Sequence, residues 1–190
     1  MQTQSHFLMT AALCIPLQKR GMDVHITAFL LGSFLPDVPL FVLSAIFGVF
    51  SAAAQDGLMS GPAMAEYDRL FFNDPLWIVP HNFFHAPLIL MLIFVAGLLF
   101  HRRGSLWGNR LVWFALAATL HTGIDILTHH NDGPLLFFPF DFSTRFASPV
   151  SYWDPNHYGR IFTRFEMALD LLLVGYLLIG WWRRRSQQSA

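Results

Sequence analysis

Five apolar runs of helical length constrain the fold of this chain more than any other feature of its sequence. A helix that crosses a bilayer needs about 17–25 predominantly apolar residues, and four of the runs reach that length. The first run is marginal and could cross, tilt or lie at the interface. Only 13% of the residues are charged, about half the proportion found in a soluble domain. The sequence therefore predicts a single all-α integral membrane domain over residues 1–190, a bundle of four to five helices at about 5–17, 24–50, 83–100, 111–127 and 165–182.

The basic residues predict how this bundle is oriented. Most of the twelve Lys and Arg residues fall in three short stretches, at residues 19–20, 102–110 and 183–185. If all five runs cross the membrane, these stretches lie on one side, which the positive-inside rule makes cytoplasmic. The C-terminus is then cytoplasmic, while residues 51–80 and 128–164 face outward.

The two outward segments are rich in aromatic residues and prolines. Residues 62–72 begin with Pro62, a favoured first helical residue, and read as a short amphipathic helix at the interface. Residues 134–158, with Trp153, Tyr152 and five Phe, predict an aromatic lid on the headgroup layer. For both segments the alternative is simple structural anchoring.

A cluster of His and Asp residues follows the fourth run. His121 and Asp125 are four residues apart in an apolar helical stretch, so both side chains leave the same helix face. His129 continues that face one turn later, and His130 and Asp132 follow where the helix breaks. Imidazole nitrogens and carboxylate oxygens are ligands for zinc or a similar divalent metal. The alternatives are a polar helix end at the membrane surface, or a buried Asp–His pair without metal.

Further metal-ligand types occur in two other apolar runs. Asp37 lies near the middle of the second run, where a carboxylate costs at least about 2.5–3.5 kcal/mol. A metal or a protonated, hydrogen-bonded state would offset this cost, although Asp37 could also cap the half-helix that begins at Val38. His81 and His85 are spaced i,i+4 at the expected start of the third helix. His85 is predicted as a ligand, and His81 as a ligand or as the hydrogen-bond partner of one.

The predicted topology brings other polar residues to the same depth. His6 opens the first helix and is a candidate ligand. Glu166, at the outer end of the last helix, is a candidate general base or ligand, or simply a favourable charge at a helix N-terminus. In the lid, Asp141 and His157 join His130 and Asp132 as candidates for contact with a ligand or a substrate.

Composition and motifs exclude several classes of function. The formal net charge is zero, which argues against a nucleic-acid partner. The single cysteine, Cys14, allows no intrachain disulfide and no CxxC metal site. We find no Walker loop, dinucleotide fingerprint or nucleophilic serine motif. Any chemistry must therefore come from a metal together with His and Asp residues.

The order of these motifs resembles a known group of bacterial proteins. The motifs are an early His6, Leu35-Pro36-Asp37, the pair His81 and His85, His121-x-x-x-Asp125, and the segment 133–140. They resemble the YdjM-like group of bacterial inner-membrane metal-dependent hydrolases, which is linked to the zinc-dependent phospholipase C and nuclease superfamily. Residues 129–133 and 148–157 are also similar to small proteobacterial membrane proteins, some labelled as cobalamin-biosynthesis proteins.

The resemblance implies a metal site and a location. It implies that His6, Asp37, His85, His121 and Asp125 are metal-site positions, with a further His at 129 or 130. It implies divalent ions, with zinc expected, in a multi-pass protein of the bacterial inner membrane. Because Val38 and Pro39 follow Asp37 and the His81–His85 motif is shorter than the family's, one or two ions are expected rather than three. The basic stretches place the site on the periplasmic side.

These observations lead to two hypotheses of function. The first is a membrane-bound metal-dependent phosphoesterase acting at the outer leaflet on a lipid-derived phosphoester, with Asp37 or Glu166 as the general base. The alternative is a non-catalytic multi-pass membrane protein whose His and Asp residues bind metal or are structural.

Overall fold

The structure, a computed structural model, describes residues 1–54, 57 and 60–188. Its helices follow the apolar runs of the sequence, and the described residues contain no β-strand, only an isolated bridge between Leu135 and Arg145. The helices are α1 Thr3–Lys19, α2 Ile26–Phe34, α3 Val38–Phe50, α4 Gly61–Asn73, α5 Pro75–Phe83, α6 Pro87–Arg102, α7 Leu106–Thr128 and α8 Gly159–Gln188. The predicted all-α membrane bundle is confirmed.

Within the described residues, three helical stretches are long and apolar enough to cross a membrane, namely Ile26–Phe50, Leu106–Thr128 and Gly159–Ser186. A fourth is formed if α5 and α6, which are bent by 42° at the break between them, are counted as one span. The stretch Ile26–Phe50 contains α2 and α3, joined by the 3₁₀ turn Leu35–Asp37 at the predicted proline break. Helix α1, the marginal run, has 17 residues and is not among these stretches.

The predicted start of the third helix is wrong. The helix expected at 83–100 begins at Pro87, because a residue that precedes proline is disfavoured in the helical conformation and Ala86 is accordingly extended. His81 therefore lies in the last turn of α5, and His85 lies in the break between α5 and α6. The i,i+4 pair does not sit at the start of one continuous helix.

The outward segments contain more helix than the sequence indicated. The amphipathic helix expected at 62–72 is present as α4, and Ser60 caps it by accepting a hydrogen bond from the amide of Ala63. Helix α5 was not predicted, and residues 159–164 of the expected outward segment 128–164 belong to α8. Of the outer segment 51–80, residues 55, 56, 58 and 59 lie outside the described part of the chain.

Helix α7 is the central helix, packed between α2 and α6. Glycine permits the close approach on both sides. A Cβ on Gly32 of α2 would lie 2.2 Å from the carbonyl oxygen of Phe114, and one on Gly97 of α6 would lie 2.9 Å from the amide nitrogen of Val112. Small residues at such crossings are the usual means of packing helices in membranes, where lipid is as apolar as the side chains.

Helix α1 lies parallel to α8, with both helices running in the same direction. The amide of Gln2 donates to Glu166 near one end of the pair, and Lys19 lines a common cavity with Arg183 at the other. The first turn of α7 lies at this second end as well, because Asn109 of α7 donates a hydrogen bond to Asp23, which follows α1. The three basic stretches of the sequence thus lie at one end of the bundle.

The segment after α7 forms the irregular structure expected of a lid. Between residues 129 and 158 the longest regular piece is the 3₁₀ turn Pro155–His157. The segment is fastened to the bundle by the fully buried Asn82, whose side chain accepts a hydrogen bond of 3.0 Å from the amide of Leu135. Its aromatic rings point largely outward, and Phe140 is 84% exposed.

We expect Gly32→Ala to destabilise the protein by about 1–3 kcal/mol, the usual range for an overpacked interior. The added methyl group would meet backbone of α7, which cannot rotate away, so α2 must move. Thermal unfolding in detergent, followed by circular dichroism, measures the effect. Gly123→Ala on α7 is the matched control, because a Cβ there meets nothing within 4 Å. Equal unfolding temperatures for the two variants would contradict this account of the helix crossing.

Candidate metal centre

Four side chains from three separate parts of the bundle converge at the end opposite the basic stretches. Their ligand atoms all lie within 4.8 Å of one another, and the group could hold a metal ion. Asp37 comes from the 3₁₀ turn before α3, and His85 from the break between α5 and α6. His121 and Asp125 lie one turn apart on α7, and only Asp37 is more than marginally exposed, at 16% of its side chain.

Backbone carbonyls fix the orientation of both imidazole rings. Nδ1 of His85 lies 2.7 Å from the carbonyl oxygen of His81, and Nδ1 of His121 lies 2.8 Å from that of Ser33. A carbonyl can only accept, so both Nδ1 atoms carry hydrogen and both neutral rings present an Nε2 lone pair. The two Nε2 atoms are only 3.1 Å apart. Two lone pairs at this distance repel each other unless a cation or an additional proton lies between them.

The two carboxylates complete a compact set of donors. Asp37 Oδ1 lies 3.3 Å from Nε2 of His85 and 3.4 Å from Nε2 of His121. Asp125 Oδ2 lies 3.0 Å from Nε2 of His121 and 3.8 Å from Nε2 of His85. Ligands at zinc bonding distances occupy the corners of a tetrahedron with edges of about 3.3–3.5 Å. The separations therefore bracket the values that a tetrahedral zinc site requires.

The start of α1 holds the two carboxylates. Asp125 Oδ1 accepts hydrogen bonds of 2.9 Å from Nε2 of His6 and from the amino group of Met1. The ring of His6 also stacks on that of His121, with centroids 3.9 Å apart. Thr3 donates its hydroxyl to Asp37 Oδ2. His6 thus touches the centre as a partner of Asp125, outside the group of four.

His129 lies beside the centre with its Nδ1 already engaged. Nδ1 lies 3.0 Å from the backbone carbonyl of Asp125 and 3.7 Å from the nearer carboxylate oxygen. Burial lowers the pKa of His129, which keeps the ring neutral at physiological pH. Only its Nε2 remains for a ligand.

A cavity of about 540 Å³ adjoins the centre. Asp37, His85 and Asp125 form part of its wall, together with His81, whose Nδ1 is buried without a hydrogen-bond partner among the described residues. Asp132 and Trp153 reach it from the lid, where Trp153 donates a 2.8 Å hydrogen bond to Asp132. The volume lies within the range of about 300–1,000 Å³ that is typical of ligand sites.

The other lid candidates are engaged with one another. The ring of His130 stacks on that of His157 at 3.5 Å, and His157 donates a 2.8 Å hydrogen bond to Asp154. This bond holds the pKa of Asp154 below its usual value. Asp141 accepts hydrogen bonds from Ser143 and Thr144, which hold the pKa of its carboxyl well below the usual range and mark it as the cap of a turn. Of the four candidates His130, Asp132, Asp141 and His157, only Asp132 is among the described residues that line the cavity.

Glu166 is a residue of α8, and its side chain contacts the N-terminus of α1. It is 1% exposed, and its Oε1 accepts a 2.7 Å hydrogen bond from the amide of Gln2, the residue that precedes the helix. Its second oxygen has no partner among the described residues. Glu166 belongs neither to the group of four nor to the described wall of the cavity, and its role as general base stays a prediction.

Several contacts to the centre carried no signal in the sequence. The carbonyls of Ser33 and His81 orient the two imidazoles, but any residue type supplies a carbonyl. The hydroxyl of Thr3 and the amino group of Met1 reach the carboxylates only because α1 packs in the bundle. The sequence offered one indication: Thr3 is a polar residue shortly before His6, so it would lie at the same depth as the ligands.

Fold and site together define a multi-pass helical membrane protein with a buried His/Asp group able to hold a metal ion. The chain belongs to the YdjM inner membrane protein family, whose profile matches residues 1–187. No curated protein and no solved structure matches the chain.

We expect His121→Ala and Asp125→Ala each to remove the metal from detergent-purified protein, because each deletes one donor of a four-donor site. Elemental analysis by mass spectrometry measures bound metal per chain. His130→Ala is the matched control, since it removes an imidazole of the lid and should leave the metal content within twofold of the parent protein. Unchanged metal in both test variants would refute the site.

Proposed function

We propose that this protein is a metal-dependent phosphoesterase of the bacterial inner membrane. The observation that carries the proposal is the pair of Nε2 atoms held 3.1 Å apart and flanked by two carboxylates. Two imidazoles and two carboxylate oxygens form a donor set typical of zinc and related divalent ions. When bound, such an ion lowers the pKa of water and stabilises charge on a phosphoryl oxygen.

The residues around the group have separable roles in this proposal. His85, His121 and Asp125 hold the ion, which leaves the fourth position of a tetrahedral zinc site for water, and Asp37 lies beside them. The carbonyls of Ser33 and His81 orient the two imidazoles. His6 fixes Asp125 so that its other oxygen faces the ion. Such partners of ligands restrict ring and carboxylate orientation and strengthen metal binding.

Asp37 is the better of the two candidates for the general base. It lines the cavity in which a substrate would lie, whereas Glu166 accepts a hydrogen bond from the start of α1. A general base must reach the proton that it removes, directly or through one water. In this proposal Glu166 positions α1, and with it His6, through the hydrogen bond to Gln2.

The arrangement of charges supports a site on the periplasmic side. The centre lies at the end of the bundle opposite Lys19 and Arg183. With these basic residues in the cytoplasm, as the positive-inside rule expects, the cavity opens toward the outer leaflet. A phosphoester at that depth would come from a membrane lipid.

One observation favours the alternative of a structural, non-catalytic cluster. Asp125 already accepts from the amino group of Met1 and from His6, and Asp37 accepts from Thr3. Many hydrogen-bonding groups of the cluster thus have partners within the chain, as expected of a polar cluster whose role is to hold helices together. Metal content and turnover together separate this alternative from an enzyme.

We expect the zinc-loaded protein to hydrolyse phosphodiesters, and His121→Ala to lower kcat/KM at least about 100-fold, the scale on which a lost catalytic interaction is felt. Release of phosphate-containing product from a phospholipid and from a soluble aryl phosphodiester measures the rate. His130→Ala should keep the parent rate within about threefold. Turnover that survives both a chelator and His121→Ala would refute a metal-dependent enzyme.

A further inference from the structure

The wall of the cavity divides into a polar and an apolar part. The polar part is the metal-binding group and its neighbours. The more apolar part contains Leu40 and Phe41 of α3 and Met64, Phe71 and Phe72 of α4, beside Tyr67 and Asp68 of the same helix. A water-soluble phosphoester has no apolar group that would contact the apolar part of the wall.

The apolar part of the wall is open to the outside of the bundle. Phe41 is 57% exposed, Met64 39% and Phe72 36%. Phe41 belongs to the membrane-spanning stretch Ile26–Phe50, so its exposed face meets lipid rather than water. The cavity is therefore open to the outside of the bundle beside Phe41 and Met64.

This opening lies next to the metal-binding group. Asp37 and Phe41 are four residues apart on the same side of the chain, one just before α3 and one in its first turns. Four residues of helix advance about 6 Å along the axis. A molecule of lipid size can place its polar end at Asp37 while its apolar end passes Phe41 into the bilayer.

We infer that the cavity admits its ligand sideways from the membrane, through a portal formed by Phe41 of α3 and Met64 of α4, and that this ligand is the acyl-bearing part of a membrane phospholipid. The inference rests on the proposed function and specifies the substrate as an amphiphile. The phosphoester lies at the group of four, and the first methylenes of the acyl chain contact Phe41 and Met64. Burial of these methylenes adds affinity that a short-chain phosphoester lacks.

Two non-hydrolysable phosphonate analogues with one headgroup test the portal, one with a long acyl chain and one with a two-carbon chain. Binding of each to zinc-loaded protein in detergent is measured at equilibrium. We expect the long-chain analogue to bind at least about tenfold more tightly, since two buried methylenes already give about that factor. Phe41→Asn should abolish most of this ratio.

Ile46→Asn is the matched control. Ile46 lies on the same helix with a similar exposure, 50%, but is not among the described wall residues. It should leave the ratio within twofold of the parent protein. Phe41→Ala keeps α3 apolar and is measured as well, so that the test does not depend on membrane insertion of Phe41→Asn. Like Phe41→Asn, it should lower the ratio of long-chain to short-chain affinity below that of the parent protein and of Ile46→Asn.

The outcomes separate the portal from the enzyme. If both analogues bind the parent protein equally, or if Ile46→Asn lowers the ratio as much as Phe41→Asn does, the portal is refuted while the phosphoesterase proposal stands. If neither analogue binds, the proposed function fails and the inference fails with it.

Discussion

The structure depends on a cluster of nitrogen and oxygen donors that is buried inside an apolar bundle. Two imidazole lone pairs and two carboxylates face one another within 4.8 Å, in a part of the molecule that is almost fully buried. Each unpaired buried charge costs several kcal/mol. In the proposed function, a divalent cation at the common point would offset both the repulsion of the lone pairs and the charge of the carboxylates, and its binding would stabilise the packing of the helices.

Breaks in the helices deliver two of the donors. Asp37 comes from the 3₁₀ turn that Pro36 imposes, and His85 from the interruption before Pro87. Irregular backbone is tolerated at membrane depth where protein or a cavity surrounds it, and both breaks border the same cavity. Helix α7 supplies the other two donors without a break, and glycines on its neighbours bring the interrupted helices against it. Two breaks in the helices thus coincide with the site.

The group of four was predictable because each member stands in an apolar run where a polar side chain is costly. The cost of a carboxylate in an apolar run predicted Asp37, and i,i+4 spacing predicted His121 with Asp125 and His85 with His81. Helix α5 was missed because its prolines and the polar pair His81-Asn82 interrupt the periodic pattern, and with it the true setting of His85. The partnership of Glu166 with the start of α1 depends on how two distant helices pack, and no local pattern in the sequence records this.

X-ray absorption spectroscopy at the zinc edge of the purified protein tests the central claim most directly. The account predicts one zinc per chain with about four nitrogen and oxygen neighbours at about 2.0–2.2 Å and the outer-shell scattering of two imidazoles. A spectrum without imidazole scattering, or with six equivalent oxygen neighbours, would contradict it, because the ion would then lie outside the pair of His85 and His121.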